Sequence, residues 1–139
     1  MAAATLYTPQ VLALATGLAA WPWDAALPLQ ATARSRSCGS TVTLGLLCGA
    51  DGRIVRLGIR AQACAVGQAA AAIFAGAAIG ADAARIADAR RMLAAWLAEE
   101  GPMPDWPGIA VLEAARAYPG RHGAIGLAWQ AATELLPTA

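Results

Sequence analysis

"TVTLGLLCGADGRIVRLGIR", residues 41–60, decides the fold. Val42, Leu44, Leu46 and Cys48 recur at every second position, with Thr41, Thr43 and Gly45 between them. After "GADG" the alternation resumes, Val55, Leu57 and Ile59 against Arg56, Gly58 and Arg60. A period of two is the signature of a strand with one face on a core. Asp51-Gly52 is a pair that tolerates the positive φ of a tight hairpin turn. The stretch therefore predicts an antiparallel β-hairpin. "QATARSR", residues 30–36, supplies a third strand of lower apolar content.

On either side the period changes to that of helices. In "YTPQVLALATGL", residues 7–18, Thr8 is placed as N-cap and Pro9 as first helical residue, with Val11, Leu12 and Ala15 on one face. "WPWDAALPLQ", residues 21–30, has two prolines among bulky side chains and reads as an ordered extended segment. Val66, Ala70, Ile73, Phe74 and Ala77 make a helical stripe that Gly80 is placed to end. Asp82 can cap the next helix, which sets Ile86, Ala89, Leu93, Trp96 and Leu97 opposite Arg85, Asp88 and Arg91. "EEGPMPDWPG", residues 99–108, is a loop, and two further helices are expected around residues 109–117 and 121–135. The expected architecture is α+β: one domain over residues 1–139, a small three-stranded antiparallel sheet packed against about five helices.

Composition excludes several classes. The chain is 58% hydrophobic but only 6% aromatic and 14% charged, because alanine carries much of the apolar count, and its net charge is +1. With no block of like charge there is no electrostatic track for a phosphate backbone, so no nucleic-acid partner is expected. Residues 61–81 carry no charged side chain and match a bilayer span in length. They hold few strongly apolar residues, however, and two glutamines and three glycines leave little drive for insertion, so a buried core helix is expected and no membrane. Three cysteines and no secretory pattern at the front point to the reducing cytoplasm, where a disulfide is disfavoured.

A hairpin folds its flanks together, and Cys38 stands about as far before the turn as Cys64 stands after it. The two thiols should meet at the open end of the hairpin. Cys38 lies in "SCGS", where Gly39 permits a close turn and Ser37 and Ser40 can hydrogen-bond a thiolate or the outer shell of a metal. Cys64 directly precedes a helix, whose free N–H groups and dipole favour the thiolate. Both are candidate ligands; the plainer alternative is a pair of buried cross-strand neighbours. Cys48 shares the face of Val42, Leu44 and Leu46 and reads as a small buried hydrophobe.

Two thiolates do not complete a tetrahedral site. His122, the chain's one histidine, stands in "YPGRHGAIGLAW", residues 118–129, either as a surface residue or as a third ligand. Arg121 beside it opposes a helix dipole, so it is solvated or faces an anionic site or partner. Ser40 is a poor fourth ligand.

These residues resemble the scaffold proteins of iron–sulfur cluster assembly: IscU, SufU and the N-terminal domain of NifU. The resemblance runs from "LYTPQVLALA" (6–15) through "SCGSTVTLGL" (37–46) and "GADGRIVRLGIRAQACAVGQAAAAIF" (49–74) to "ARAYPGRHGAIGLAWQAA" (115–132), and the last segment looks most like the SufU branch. It implies a three-stranded antiparallel sheet against helices. It also implies a protein that receives sulfur from a cysteine desulfurase, assembles a [2Fe–2S] cluster on three cysteines and passes it to accepting proteins; SufU-like members bind zinc and accept persulfide sulfur. Cys38 and Cys64 match the first two cysteines. Ser40 stands where the family has an aspartate, Ala124 where it has the third cysteine, and Gly123 where IscU-type members have a histidine, leaving His122 one residue away.

The leading expectation is a non-enzymatic scaffold or carrier that binds iron, a [2Fe–2S] cluster or zinc through Cys38 and Cys64, with His122 as a further candidate and Ser40 and Arg121 in support. A homodimer would supply four sulfurs from two chains. The competing expectation is a degenerate paralogue that docks a desulfurase or chaperone without metal chemistry. A thiol-dependent transferase with Cys64 as nucleophile and His122 as base is the weakest, for want of a group to orient the histidine.

Overall fold

A computed structural model of the protein describes residues 6–136. Three strands, β1 (Leu29–Arg34), β2 (Thr41–Cys48) and β3 (Ile54–Gln62), form an antiparallel sheet in the order β1-β2-β3. The register sets Val42 opposite Ala61, Leu44 opposite Ile59 and Leu46 opposite Leu57. Val42, Leu44, Leu46 and Ile59 are buried on that inner face.

The alternation in β3 breaks at one place. Leu47 pairs with Arg56 but Cys48 pairs with Ile54, so Val55 is an extra residue. This β-bulge turns Val55 outward to 47% exposure and gives its expected inward place to Ile54, which is fully buried.

On the outer face Gly45 stands opposite Gly58. A Cβ on Gly58 would lie 2.5 Å from the Pro22 carbonyl oxygen, so the extended segment at 21–28 lies directly on the sheet. Its position is fixed by a hydrogen bond from Ile59 N–H to Trp21 O (3.0 Å), by Arg60 over the Trp23 ring (4.9 Å) and by Arg56 against Asp24 (3.2 Å).

Five α-helices are seen among the described residues: α1 (Pro9–Gly17), α2 (Ala65–Ala78), α3 (Ala83–Leu97), α4 (Pro119–Ile125) and α5 (Leu127–Leu135). Thr8 caps α1, its hydroxyl accepting from Val11 N–H at 3.2 Å, and Asp82 caps α3, its carboxylate accepting from Arg85 N–H at 2.9 Å. The inward face of α1 is Val11 and Leu14, continued by Leu18 in the 3₁₀ turn that follows, an i, i+3, i+7 stripe. Leu12, expected on that face, is rotated out to 48% exposure.

The charge-free stretch is a core element. Nearly all of α2 is buried, and its alanines let α1 and β3 approach closely. No helix among the described residues is long and apolar enough to cross a membrane. α5 packs on β1 and β2, and its Trp129 meets Phe74 and Trp106 edge to face at 5.4 and 5.6 Å. The element at Ile109–Ala117 is a 3₁₀ helix, and the last expected helix starts earlier, at Pro119, and divides at Gly126.

Candidate functional site

β1 ends at Arg34, paired with Thr41, and the chain returns through a closed loop. Ser35 N–H donates to Ser40 O (2.8 Å), Gly39 N–H donates to Ser35 O (2.9 Å), and Gly39 takes a φ of 72° that a side chain would resist. Cys38 sits at the exposed tip of this loop. Beneath it, Ser35 and Ser40 are almost wholly buried.

Their hydroxyls lie 3.4 Å (Ser35) and 3.1 Å (Ser40) from the Cys38 sulfur. When the thiol ionises, both can turn and donate to the thiolate. With the Ser35 bond first, then the Ser40 hydroxyl and backbone, these contacts lower the Cys38 pKa below its ordinary value to about 7. Ser35 is the residue that sequence reasoning missed. The signal was available, for Ser35 lies three residues before Cys38, where a tight turn brings a hydroxyl back under the sulfur.

Cys64 is reached from the other strand. The last rung of the β2–β3 ladder is Thr41 opposite Gln62, so Cys38 lies three residues before that rung and Cys64 two residues after it, both at the open end of the hairpin. Cys64 is the N-cap of α2, with extended backbone (φ −65°, ψ 170°) and no capping bond from its side chain, and it is half-buried against the core. All three cysteines are free thiols. Cys48 is at the opposite, turn end of the hairpin, half-buried; burial, then the charge of Asp51, pushes its pKa up.

The third wall is α4. Ser37 Oγ donates to Gly120 O at 3.5 Å, and Gly123 packs against Ser35 and Ser37 with no room for a side chain. Ala124 is buried, its Cβ 3.3 Å from where a Cβ on Gly67, in the first turn of α2, would stand. His122 does not turn its Nε2 to the cysteines: that atom lies 3.1 Å from Ala115 O and 3.2 Å from Arg116 O. Both neighbours only accept, so Nε2 carries the proton and clamps the end of the 3₁₀ helix. Among the described residues no three His, Cys, Asp or Glu side chains gather into a metal-holding group. Arg121 is half-buried on α4, and its backbone N–H bonds to Tyr118 O at 2.9 Å.

This arrangement of sheet and helices is shared with solved structures. A nitrogen-fixing NifU-like protein (N-terminal) from Brucella abortus superposes with a TM-score of 0.85 at 30% identity, covering 97% of this chain and 94% of its own. The chain belongs to the NifU-like N-terminal family. The same fold occurs in a putative iron–sulfur cluster assembly scaffold protein for the SUF system from thermophilic Fervidobacterium islandicum AW-1, with a TM-score of 0.84 at 16% identity over 95% of this chain and 97% of that one. No protein-family model matches the chain, and neither does any curated protein.

The sequence resemblance places the family's third cysteine at Ala124 and the IscU-type histidine at Gly123. In the structure both residues serve packing: Gly123 seats the serine pair and Ala124 fills the contact with α2. The open end of the hairpin carries two thiols, Cys38 and Cys64, and neither tetrahedral zinc nor a [2Fe–2S] cluster is satisfied by two sulfurs.

Proposed function

We propose that the protein is a scaffold or carrier of iron–sulfur cluster assembly that takes iron, a [2Fe–2S] cluster or zinc as cargo through Cys38 and Cys64. The observation that carries this reading is the serine cradle under Cys38, which keeps an exposed thiol half-ionised near neutral pH while the hairpin delivers a second cysteine to the same end. Thiolate is the form that binds metal and exchanges sulfur. Membership of the NifU-like family supports the same assignment.

In this reading Ser35 and Ser40 hold the Cys38 thiolate, and Gly39 lets the loop tip stand clear of the sheet for a visiting molecule. Cys64, at a helix start, supplies the second sulfur. The remaining coordination positions are filled from outside the chain, by sulfide, water or a donor of another molecule. A two-sulfur grip releases cargo readily, as transfer requires. The partners are a cysteine desulfurase as sulfur source and cluster-accepting proteins, the compartment is the reducing cytoplasm, and no substrate is turned over.

Anaerobic reconstitution with iron and sulfide tests this. The wild type should develop sulfur-to-iron charge-transfer absorption; no absorption, or the same spectrum in a Cys38→Ser, Cys64→Ser double variant, would overturn it. A docking module without metal chemistry is the second reading, favoured by the burial of Ala124 at the third-cysteine position. Capture of a desulfurase undiminished by loss of both cysteines, from protein free of metal, would select it.

A further inference from the structure

The charged residues of this chain are sorted in space. Residues 25–50, 52–81 and 114–133 contain no Asp or Glu, so the sheet, α2, α4 and most of α5 lack carboxylates altogether. At the cysteine end those same segments carry Arg34, Arg36 and Arg121. Arg34 closes β1 beside Ser35, Arg36 adjoins Ser37, and Ser37 bonds to Gly120 next to Arg121, so the three arginines stand at or next to the loop that presents Cys38. Arg34 and Arg36 are exposed and Arg121 is half-buried. The ion pairs of the described residues involve Arg53, Arg56, Arg91 and Arg116, and none involves these three.

We propose that this arginine rim is the docking face for an acidic protein surface, and that partners of the site approach Cys38 by presenting carboxylates to Arg34, Arg36 and Arg121. Positive guanidinium groups without internal partners, set close to an exposed thiol, steer a negatively charged surface onto that thiol and disfavour a positive one. A second copy meeting this face symmetrically is disfavoured, because an isologous contact would lay one arginine-rich, carboxylate-free patch on another. Any ligand that comes from another protein is therefore brought by a different, acidic partner and not by a twin. The proposal rests on the scaffold reading only for why a partner must visit Cys38; the charge distribution stands without it.

A hexaglutamate peptide titrated into the full ¹⁵N-labelled chain is the test. Amide shifts should be confined to residues 34–40 and 119–123, with binding at least about tenfold weaker when salt rises from roughly 0.02 M to roughly 0.5 M. An Arg36→Glu, Arg121→Glu double variant should lose binding while keeping the wild-type spectrum elsewhere, and Arg91→Glu, whose arginine pairs with Asp88, should retain it. Equal binding of hexalysine, shifts that map to other surfaces, or concentration-dependent self-association through the same amides would each overturn the proposal. The Cys38→Ser, Cys64→Ser variant should bind the peptide as the wild type does. Peptide binding without metal loading would sink the scaffold reading and leave this one standing; metal loading without peptide binding would do the reverse.

Discussion

Gly123 stands against Ser35 so closely that a Cβ on the glycine would lie 2.5 Å from the serine hydroxyl. Only hydrogen fits between α4 and the oxygen that supports the Cys38 sulfur. The absence of a side chain at 123 and the ionisation of Cys38 are therefore one feature. A side chain introduced at 123 would displace the serine.

Gly123→Ala should push Ser35 away from Cys38 and remove the largest contribution that lowers its pKa. The pH at which Cys38 alkylation reaches half its maximum should rise from about 7 toward the ordinary cysteine value, as it should in Ser35→Ala. An unchanged midpoint in both variants would mean that the serines do not tune this thiol.

In the unmodified protein the thiols should separate by reactivity. Below pH 7 Cys38 is mostly protonated and its alkylation should slow about tenfold per pH unit, while above pH 7 the rate should level off. Cys48, whose pKa burial raises, should be modified slowly throughout. Iodoacetamide labelling read by peptide mass spectrometry checks the order.

Gly58→Ala should detach the segment at 21–28, because the new methyl group collides with the backbone carbonyl of Pro22. Overpacking of this kind costs about 1–3 kcal/mol, measurable by denaturant unfolding. Gly76→Ala, on the exposed side of α2 with nothing within 4 Å of the new Cβ, should instead stabilise the protein by about 0.5–1 kcal/mol.

Ala124→Cys places a third sulfur at the start of the α2 contact, against Gly67. It should slow loss of reconstituted iron to a chelator at least about tenfold relative to wild type, since each added thiolate ligand strengthens the grip. Loss at the wild-type rate would show that position 124 does not face the cargo.

Much of this fold is legible in the sequence because its signals are local. The hairpin follows from alternation around Asp51-Gly52, and the caps at Thr8 and Asp82 from hydroxyl and carboxylate groups just before helical stripes. What escapes is set by tertiary packing. The bulge that exposes Val55 depends on Ile54 being tied to the α2–α3 connection, by its N–H to Ala81 O and its carbonyl to Gly80 N–H. The rotation of α1 that exposes Leu12 is set by the surface of α2 it meets. At the site, the serines at 37 and 40 were visible beside Cys38, whereas the role of Ser35 depends on a loop closure that only the paired strands reveal. His122 is turned toward the 3₁₀ helix by carbonyls six and seven residues earlier, a contact its position in sequence did not announce.

The shared grip of Cys38 and Cys64 on one metal or cluster is tested most directly by elemental analysis of protein purified without oxygen, alongside the Cys38→Ser and Cys64→Ser single variants. The account predicts iron or zinc in stoichiometric proportion to the wild-type chain and its disappearance with either cysteine. Metal that persists after both are replaced, or wild-type protein that never takes it up, would contradict it.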